Sequence, residues 1–456
     1  MPRRSLLIGL LVIIVLIPLL WLYIVRFEGE PPQVSWDLER NYLGRTQVVH
    51  LDVSDAKSGI RRVWVQMLRD GRQDKIYEES FPMMGWMDGG SVTHKSIDLT
   101  IEPTKLGITD GKVVLEAQVW DGSLNGWLHG NKTVLLKEVI VDTVLPAVSV
   151  LGNTQYLNQG GAGVVLYKIS KEVVRQGVKV GDRLYPGYPV SGQPGLYEAY
   201  FGLPYETADV RLAVVAEDMA GNRTEAGFPH RIRKKHFQKD RLELSEGFLK
   251  DIEAKFTSRY PELASEGSPL KVFIHVNSKM RESNGREFLA ACSSSSPERL
   301  WDGPFQSLTN AGVRAGFADH REYVFNNESV AESVHEGLDL ASLAMASVPA
   351  ANSGIVTEAK EIGIYGNTVI LDHGMGLFST YSHLSSIMVT PGQRVQKGQT
   401  LGLTGSTGLA GGDHLHFGIA IQGIFVNPIE WLDPNWVEKK IMEPIGAGRP
   451  AGAQPS

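Results

Sequence analysis

The chain has one cysteine, Cys292, in 456 residues, which excludes an intramolecular disulfide and any zinc cluster built on thiolates. Its folds must therefore be held by packing. Cys292 precedes the serine run Ser293–Ser296, and a lone cysteine in that setting reads as incidental rather than as a nucleophile. Clustered positive charge is also scarce. Lys and Arg number 45 against 51 Asp and Glu, for a net charge of −6. The basic run Arg231, Arg233, Lys234, Lys235 is short enough to be a solvated linker. Neutralising several phosphates needs a denser patch, so no nucleic-acid partner is expected. Low composition bias, with 42% hydrophobic and 21% charged residues, excludes a largely disordered chain. The length implies several domains.

Residues Leu6–Val25 carry no charge. Twenty residues at helical rise span about 30 Å, the thickness of a hydrocarbon core. A cleaved signal peptide would have a shorter apolar region followed by a small-x-small site. Here Trp21, Tyr23 and Arg26 follow instead, which favours an uncleaved membrane anchor. Arg3 and Arg4 precede the run, and Glu28 and Glu30 follow it. Positive charge is retained in the cytoplasm. Residues 1–26 are thus read as a cytoplasmic stub and transmembrane helix, in a single-pass inner-membrane protein whose remainder is periplasmic or extracytoplasmic.

From residue 30 to 230 long helical periodicity is missing. Alternation takes its place, in Val49, Leu51, Val53 and in Val63, Val65, Met67, broken by turns rich in Gly and Asp. Val113, Leu115, Ala117, Val119 precede the turn Asp121–Gly126, and Val210, Leu212, Val214, Ala216 precede Asp218–Asn222. This weak repeat predicts two β-sandwich modules, 30–143 and 144–235, similar to bacterial immunoglobulin-like domains and serving chiefly as spacers. Residues 236–310 read as a short α/β connector. Leu249, Ile252 and Phe256 lie at helical spacing there, and "LKVFIHV" is strand-like. Short strands and glycine hairpins return over 311–435, and 436–456 is expected to be a disordered tail. The fold class expected is mainly β.

The chemistry is concentrated in that last β region. In "DHLHFGIAI", Leu415, Phe417, Ile419 and Ile421 share one face of a strand. His414, His416, Gly418 and Ala420 share the other, so two imidazoles point into a groove floored by small residues. In "HEGLDLA", His335, Gly337 and Asp339 align in the same way. His335, Asp339 and His416 make a plausible three-ligand set of the kind catalytic zinc uses, with a fourth position left for water. Non-haem iron takes a similar set, but no oxygenase cue accompanies it, and redox-inert zinc suits a hydrolase. In "STYSHL", alternation puts Tyr381 and His383 on one face, making His383 a candidate further imidazole. His373, in "LDHGMG", reads as structural.

The ordered segments "HEGLDLA", "IYGNTVILDHGMGLFSTYSHL", "VTPGQRVQKGQTLGLTGSTGLAGGDHLHF" and "VNPIEWLD" resemble the LytM/lysostaphin family of zinc endopeptidases, including its His-x-x-x-Asp and His-x-His motifs. The resemblance covers about a quarter of the chain. It implies a C-terminal antiparallel β-sheet peptidase domain binding one zinc through His335, Asp339 and His416. His414 and His383 are then the catalytic histidines, with Arg321 at a basic lead-in position. The implied activity is hydrolysis of peptide cross-links or stem peptides of peptidoglycan. The roles assigned are proton acceptor for His414 and oxyanion donor for His383, with exchange of the two open. Gly411 and Gly412 are expected to form groove walls. The rival reading is a non-catalytic or latent regulator of cell-wall amidases, with residues 236–310 as the segment that holds the enzyme latent.

Overall fold

The computed structural model describes residues 2–83, 90–125 and 129–447. The chain forms two compact units, Met1–Pro146 with Glu217–Arg223, and Ala147–Ala216 with Thr224–Ser456.

The first unit begins with the helix Pro2–Arg26, which contains Pro18. Leu10, Ile13, Ile14, Leu16, Ile17, Leu19 and Leu20 are exposed along it. The side chains of Arg3, Arg4 and Leu6 lie outside the described residues, and among the described residues no helix is long and apolar enough to cross a membrane. Beyond the helix, alternation produces a sandwich of a three-stranded and a five-stranded sheet. Val49 and Leu51 pair with Leu99 and Ile97. Val63, Val65 and Met67 pair with Val119, Ala117 and Leu115. These inward side chains form a core of their own, nearly all below 10% exposure. Gly126, the end of the expected turn, lies outside the described residues.

The second unit does not divide at residues 235 and 310 as the sequence suggests. Two four-stranded sheets, drawn from strands between Val148 and Gly227, form the second β region. Its buried Val164, Tyr200 and Phe201 belong to one cluster with Trp301, Val369, Leu371, Tyr381, Phe417, Ile419 and Trp431. The aromatic side chains carry this junction. Tyr200 lies 6.3 Å from Trp431 and 6.4 Å from Trp301 between ring centroids. The buried Glu430 accepts from Asn158 Nδ2 at 2.7 Å and from the Ala162 amide at 2.8 Å.

Among the described residues the central sheet has eight strands, seven along its main path and one, Ile424–Val426, pairing off it with Leu415–Ile421, which lies between Leu338–Ala341 and Leu377–Leu384. One face feeds the cluster just described. The other face, through Ile370, Phe378 and Ala420, packs under helices from residues 246–291. The strand-like reading of "LKVFIHV" is corrected: Pro269–His275 is α-helical. Ser268 caps it by accepting from the Lys271 amide, Pro269 is preset for the first turn, and Val272, Phe273 and Val276 bury at helical spacing. The segment Lys239–Glu243 pairs in parallel with His320–Phe325, so the connector is woven into the fold that follows it. Cys292 is buried in the same helical layer, where burial pushes its thiol up to about 12, a value unsuited to a nucleophile.

The disordered tail is also corrected as far as residue 447. Pro434–Val437, Glu438–Met442 and Glu443–Ala447 are helical and bury Val437, Ile441 and Ile445. Residues 448–456 lie outside the described residues.

Candidate metal centre

Strand register brings the three candidate ligands together. Asp339 lies directly opposite His416 in the antiparallel pair, while Leu338 and Leu340 turn into the core against Phe417 and Leu415. His335 arrives from the irregular segment just before this strand. Its Nε2 is 2.9 Å from Asp339 Oδ1 and 2.9 Å from His416 Nδ1, and His416 Nδ1 is 3.0 Å from Asp339 Oδ1. Gly337 makes this approach possible. A Cβ there would stand 2.8 Å from His416 Cε1 and Nε2, so any side chain displaces the imidazole.

The surrounding hydrogen bonds fix which ring nitrogens are available. His335 Nδ1 donates to the Gly316 carbonyl at 2.7 Å, leaving Nε2 as a lone pair facing the triangle. Two imidazole nitrogens and one carboxylate oxygen, mutually 2.9–3.0 Å apart, nearly match one face of a zinc tetrahedron. Bonds of about 2.0–2.1 Å place such ligand atoms about 3.3 Å apart. The donor set fits a redox-inert Lewis-acid metal. Asp339 Oδ2 accepts from Arg321 Nη2 at 3.1 Å, which holds the carboxylate with Oδ1 turned toward the histidines. Burial opposes the charged Asp339 carboxylate, but hydrogen bonds with His335, His414 and His416 outweigh that and hold it well below the usual carboxylate range. Burial pushes His416 down to about 4, which keeps the ring neutral, with one nitrogen lone pair available to a cation.

His414 and His383 flank the triangle. The His414 ring centroid is 4.8 Å from that of His383, and His414 Nε2 is 3.5 Å from Asp339 Oδ1. His414 Nδ1 donates to the Gly412 carbonyl and His383 Nδ1 to the Thr407 carbonyl, both at 2.8 Å, so both rings present Nε2 to the site. Burial opposes the His414 cation, but the adjacent Asp339 raises its pKa overall. Burial, then the neighbouring His416 and His414, holds His383 well below its usual value.

The placement of His383 corrects the alternation argument. Tyr381 lies in the core cluster, opposite Phe417, with its hydroxyl accepting from the Ala351 amide. Strict alternation would send His383 to that same side. Its φ of +64° breaks the pleat and turns the ring back to the site, a backbone state disfavoured for a residue with a Cβ. The expected groove floor also differs. Gly418 is covered by Phe425 and Thr380, and Ala420 packs into the helical layer, so the small residues admit core side chains. A Cβ at Gly411 or Gly412 would meet nothing within 4 Å.

His373 is apart from this centre and fully buried. Its Nδ1 donates to the Ser353 carbonyl, its Nε2 meets Ser379 Oγ, both at 2.7 Å, and Phe305 stacks edge-on against it. The carbonyls of Gly316, Thr407 and Gly412 escaped sequence reading because backbone acceptors have no residue-type signature.

Residues 333–428 match the family model described as Peptidase family M23. Over 96 residues the chain is 36% identical to the peptidoglycan DD-endopeptidase ShyA of Vibrio cholerae, a stretch that makes up 21% of this chain and 22% of that protein. It is 38% identical over 96 residues to the DD-carboxypeptidase/endopeptidase Mpg of Neisseria meningitidis, again 21% of this chain and 22% of the relative. The chain therefore spans about a fifth of the length of these curated relatives. A solved structure of a putative peptidase M23 from Pseudomonas aeruginosa is 23% identical, covers 60% of this chain and 94% of its own, and superposes with a TM-score of 0.37. His335, Asp339, His383, His414 and His416 all fall inside the matched segment, and the chain carries a Peptidase family M23 domain of the LytM/lysostaphin type.

Proposed function

We propose that this chain is a zinc-dependent endopeptidase that hydrolyses stem peptides or peptide cross-links of bacterial peptidoglycan. The observation that carries the proposal is the triangle of His335 Nε2, Asp339 Oδ1 and His416 Nδ1 beside two further imidazoles. Bound to those three donors, zinc would polarise a peptide carbonyl and bring the pKa of a water to about 7. The peptidoglycan substrate is supported by the names of the curated relatives.

The hydrogen bonds favour exchanging the two histidine roles expected from sequence. A neutral ring whose Nδ1–H is committed to a carbonyl has only a lone pair at Nε2, and so accepts a proton there. Burial keeps His383 in that form, which suits it to take the proton of the attacking water. Asp339 favours the cationic form of His414, whose Nε2–H then donates to the developing oxyanion. The open surroundings of Gly411 and Gly412 suit close approach by an extended peptide backbone.

Membrane attachment, with the N-terminus cytoplasmic and the peptidase domain outside, is supported by the uncharged run Leu6–Val25 and the exposed apolar side chains of the Pro2–Arg26 helix. The β regions act in this reading as immunoglobulin-like supports. A latent form is a second reading, favoured by one contact: Lys255, in the helical layer, donates from Nζ to the Ser406 carbonyl, next to the Thr407 carbonyl that holds His383. Faster cutting by Lys255→Ala than by the wild type would support latency, and equal rates would remove it.

The test is zinc content and sacculus digestion by the purified full chain beside His335→Ala and His383→Ala. Near one equivalent of zinc in the wild type, lost in His335→Ala and kept in His383→Ala, with new peptide fragments from the wild type alone, is the expected result. Zinc without digestion of any sacculus by either the wild type or Lys255→Ala would sink the peptidase reading and leave the amidase-regulator alternative.

A further inference from the structure

A second group of ionisable side chains lies in the first unit, far in sequence from the peptidase motifs. Glu28, Asp55 and Asp121 each offer a carboxylate oxygen, and these oxygens lie within 4.8 Å of one another. All three residues are buried, with exposures of 6%, 6% and 0%. They come from three separate places: the chain just past the Pro2–Arg26 helix, the turn after Gln47–Ser54, and the end of the strand Gly111–Asp121.

Most of the oxygens are engaged. Asp121 accepts from the Ser123 and Asn131 amides through Oδ1 and from Asn131 Nδ2 through Oδ2. Asp55 Oδ1 accepts from the amides of Gly59 and Lys57. Glu28 Oε1 accepts from Ser58 Oγ at 2.7 Å. Glu28 Oε2 is different: it is buried and has no hydrogen-bond partner. An unmade bond to a carboxylate oxygen is among the costliest vacancies a fold can hold, more so beside two like charges. Lys57 is the nearby lysine, and its Nζ is taken by Glu30 at 2.7 Å on the exposed rim. Burial raises the pKa of both Glu28 and Asp121, and the charge of Asp55 adds to it.

The repeat noted in the sequence supplies a control. Asp218 forms the same clamp, accepting from the Ala220 and Asn222 amides and from Asn222 Nδ2. Among the described residues it gathers no group of carboxylates. The clamp therefore needs no cluster, and Glu28 and Asp55 are additions peculiar to the first site.

We propose that Glu28, Asp55 and Asp121 form a binding site for a divalent cation, calcium. Oxygen-only donors without histidine or cysteine select a hard cation, and oxygens within 4.8 Å of one another can share an ion whose bonds run about 2.3–2.6 Å. The bound ion closes the orphaned Oε2 bond. It also pins the chain leaving the Pro2–Arg26 helix to two loops of the sandwich, adding to the hydrogen bonds from Ser123 Oγ and Asn131 Nδ2 to the Glu28 carbonyl. Helix and sandwich then move as one piece.

Equilibrium dialysis of the full chain against radioactive calcium, with saturating zinc, tests this. About one equivalent is expected for the wild type and for His335→Ala, with at least a tenfold loss of affinity in Glu28→Gln, whose amide keeps the Ser58 hydrogen bond. Calcium should also raise the thermal midpoint of the wild-type sandwich relative to a chelator, a readout that needs no variant. No calcium above background, an unchanged midpoint, or full binding by Glu28→Gln would each overturn the site, leaving the carboxylates balanced by protons or by the buried Arg26. Because neither readout uses peptidase activity, failure here and failure of the peptidase reading are separable.

Discussion

The two β regions that the sequence presents as copies of one module have different relations to the cores around them. The first closes on its own cluster of Val, Leu and Ile side chains. The second shares its cluster with the central peptidase sheet, through Tyr200, Trp301 and Trp431 and through Glu430. Similar alternation thus produced one self-sufficient sandwich and one that completes a neighbour. Alternation specifies which side chains turn inward but not what they meet there.

Removing the second region, residues 147–233, should have the largest effect. It uncovers Trp431, Phe417 and Ile419, so the product should aggregate without binding zinc. Soluble, zinc-loaded protein from that deletion would show the sharing to be incidental. Single substitutions sharpen the same contrast. Tyr200→Ala should cost about 3–5 kcal/mol and reduce the proposed peptidase activity in step with folding, while Leu115→Ala should cost about 2–5 kcal/mol and leave that activity intact. Unfolding followed together with sacculus digestion would separate the two, and equal loss of activity from both would break the distinction.

Next in size is a pH effect confined to the second unit. Burial pushes His373 down to about 4, below an unfolded value of about 6.5. Its contribution is present above pH ~6.5 and is lost as pH falls through ~4, for a total of roughly 3 kcal/mol. Denaturant titrations between pH 7 and pH 4 should show this slope in the wild type and a flatter one in His373→Gln. Parallel slopes would mean that other groups carry it. The smallest effect expected is that of Gly337→Ala. Its Cβ would stand 2.6 Å from the Phe417 carbonyl and 2.8 Å from the His416 ring, so the strand beneath the site must shift with the ring, and zinc affinity should fall about 10–100-fold, as a competition titration against a chelator would measure.

The candidate site was legible wherever a two-residue period sufficed. His416 and Asp339 face one side while Leu415, Phe417, Leu338 and Leu340 face the other, as their strands predict. Legibility failed where the backbone departs from that period. Counting along the strand put His383 with Tyr381, and only the positive φ separates them. It failed as well where an apolar stretch suits either period: "LKVFIHV" reads as a strand, but its cap, its proline and the apolar face it covers make it a helix. The helices after Pro434 were hidden for a similar reason. A segment ending in Gly, Ala and Pro reads as a tail until the groove that takes Val437 and Ile441 is known.

By itself the sequence determined the β character of the chain, the face on which Asp339 and His416 lie, and the donor types available to a metal. These are local properties, set by backbone period and side-chain chemistry. Tertiary structure decided which second β region became part of the peptidase core, which ring nitrogens were left free by the Gly316, Thr407 and Gly412 carbonyls, and that Glu28 would meet Asp55 and Asp121. Those outcomes depend on contacts between residues tens to hundreds of positions apart. Such contacts form only when distant surfaces bury one another, and no local pattern encodes the partner.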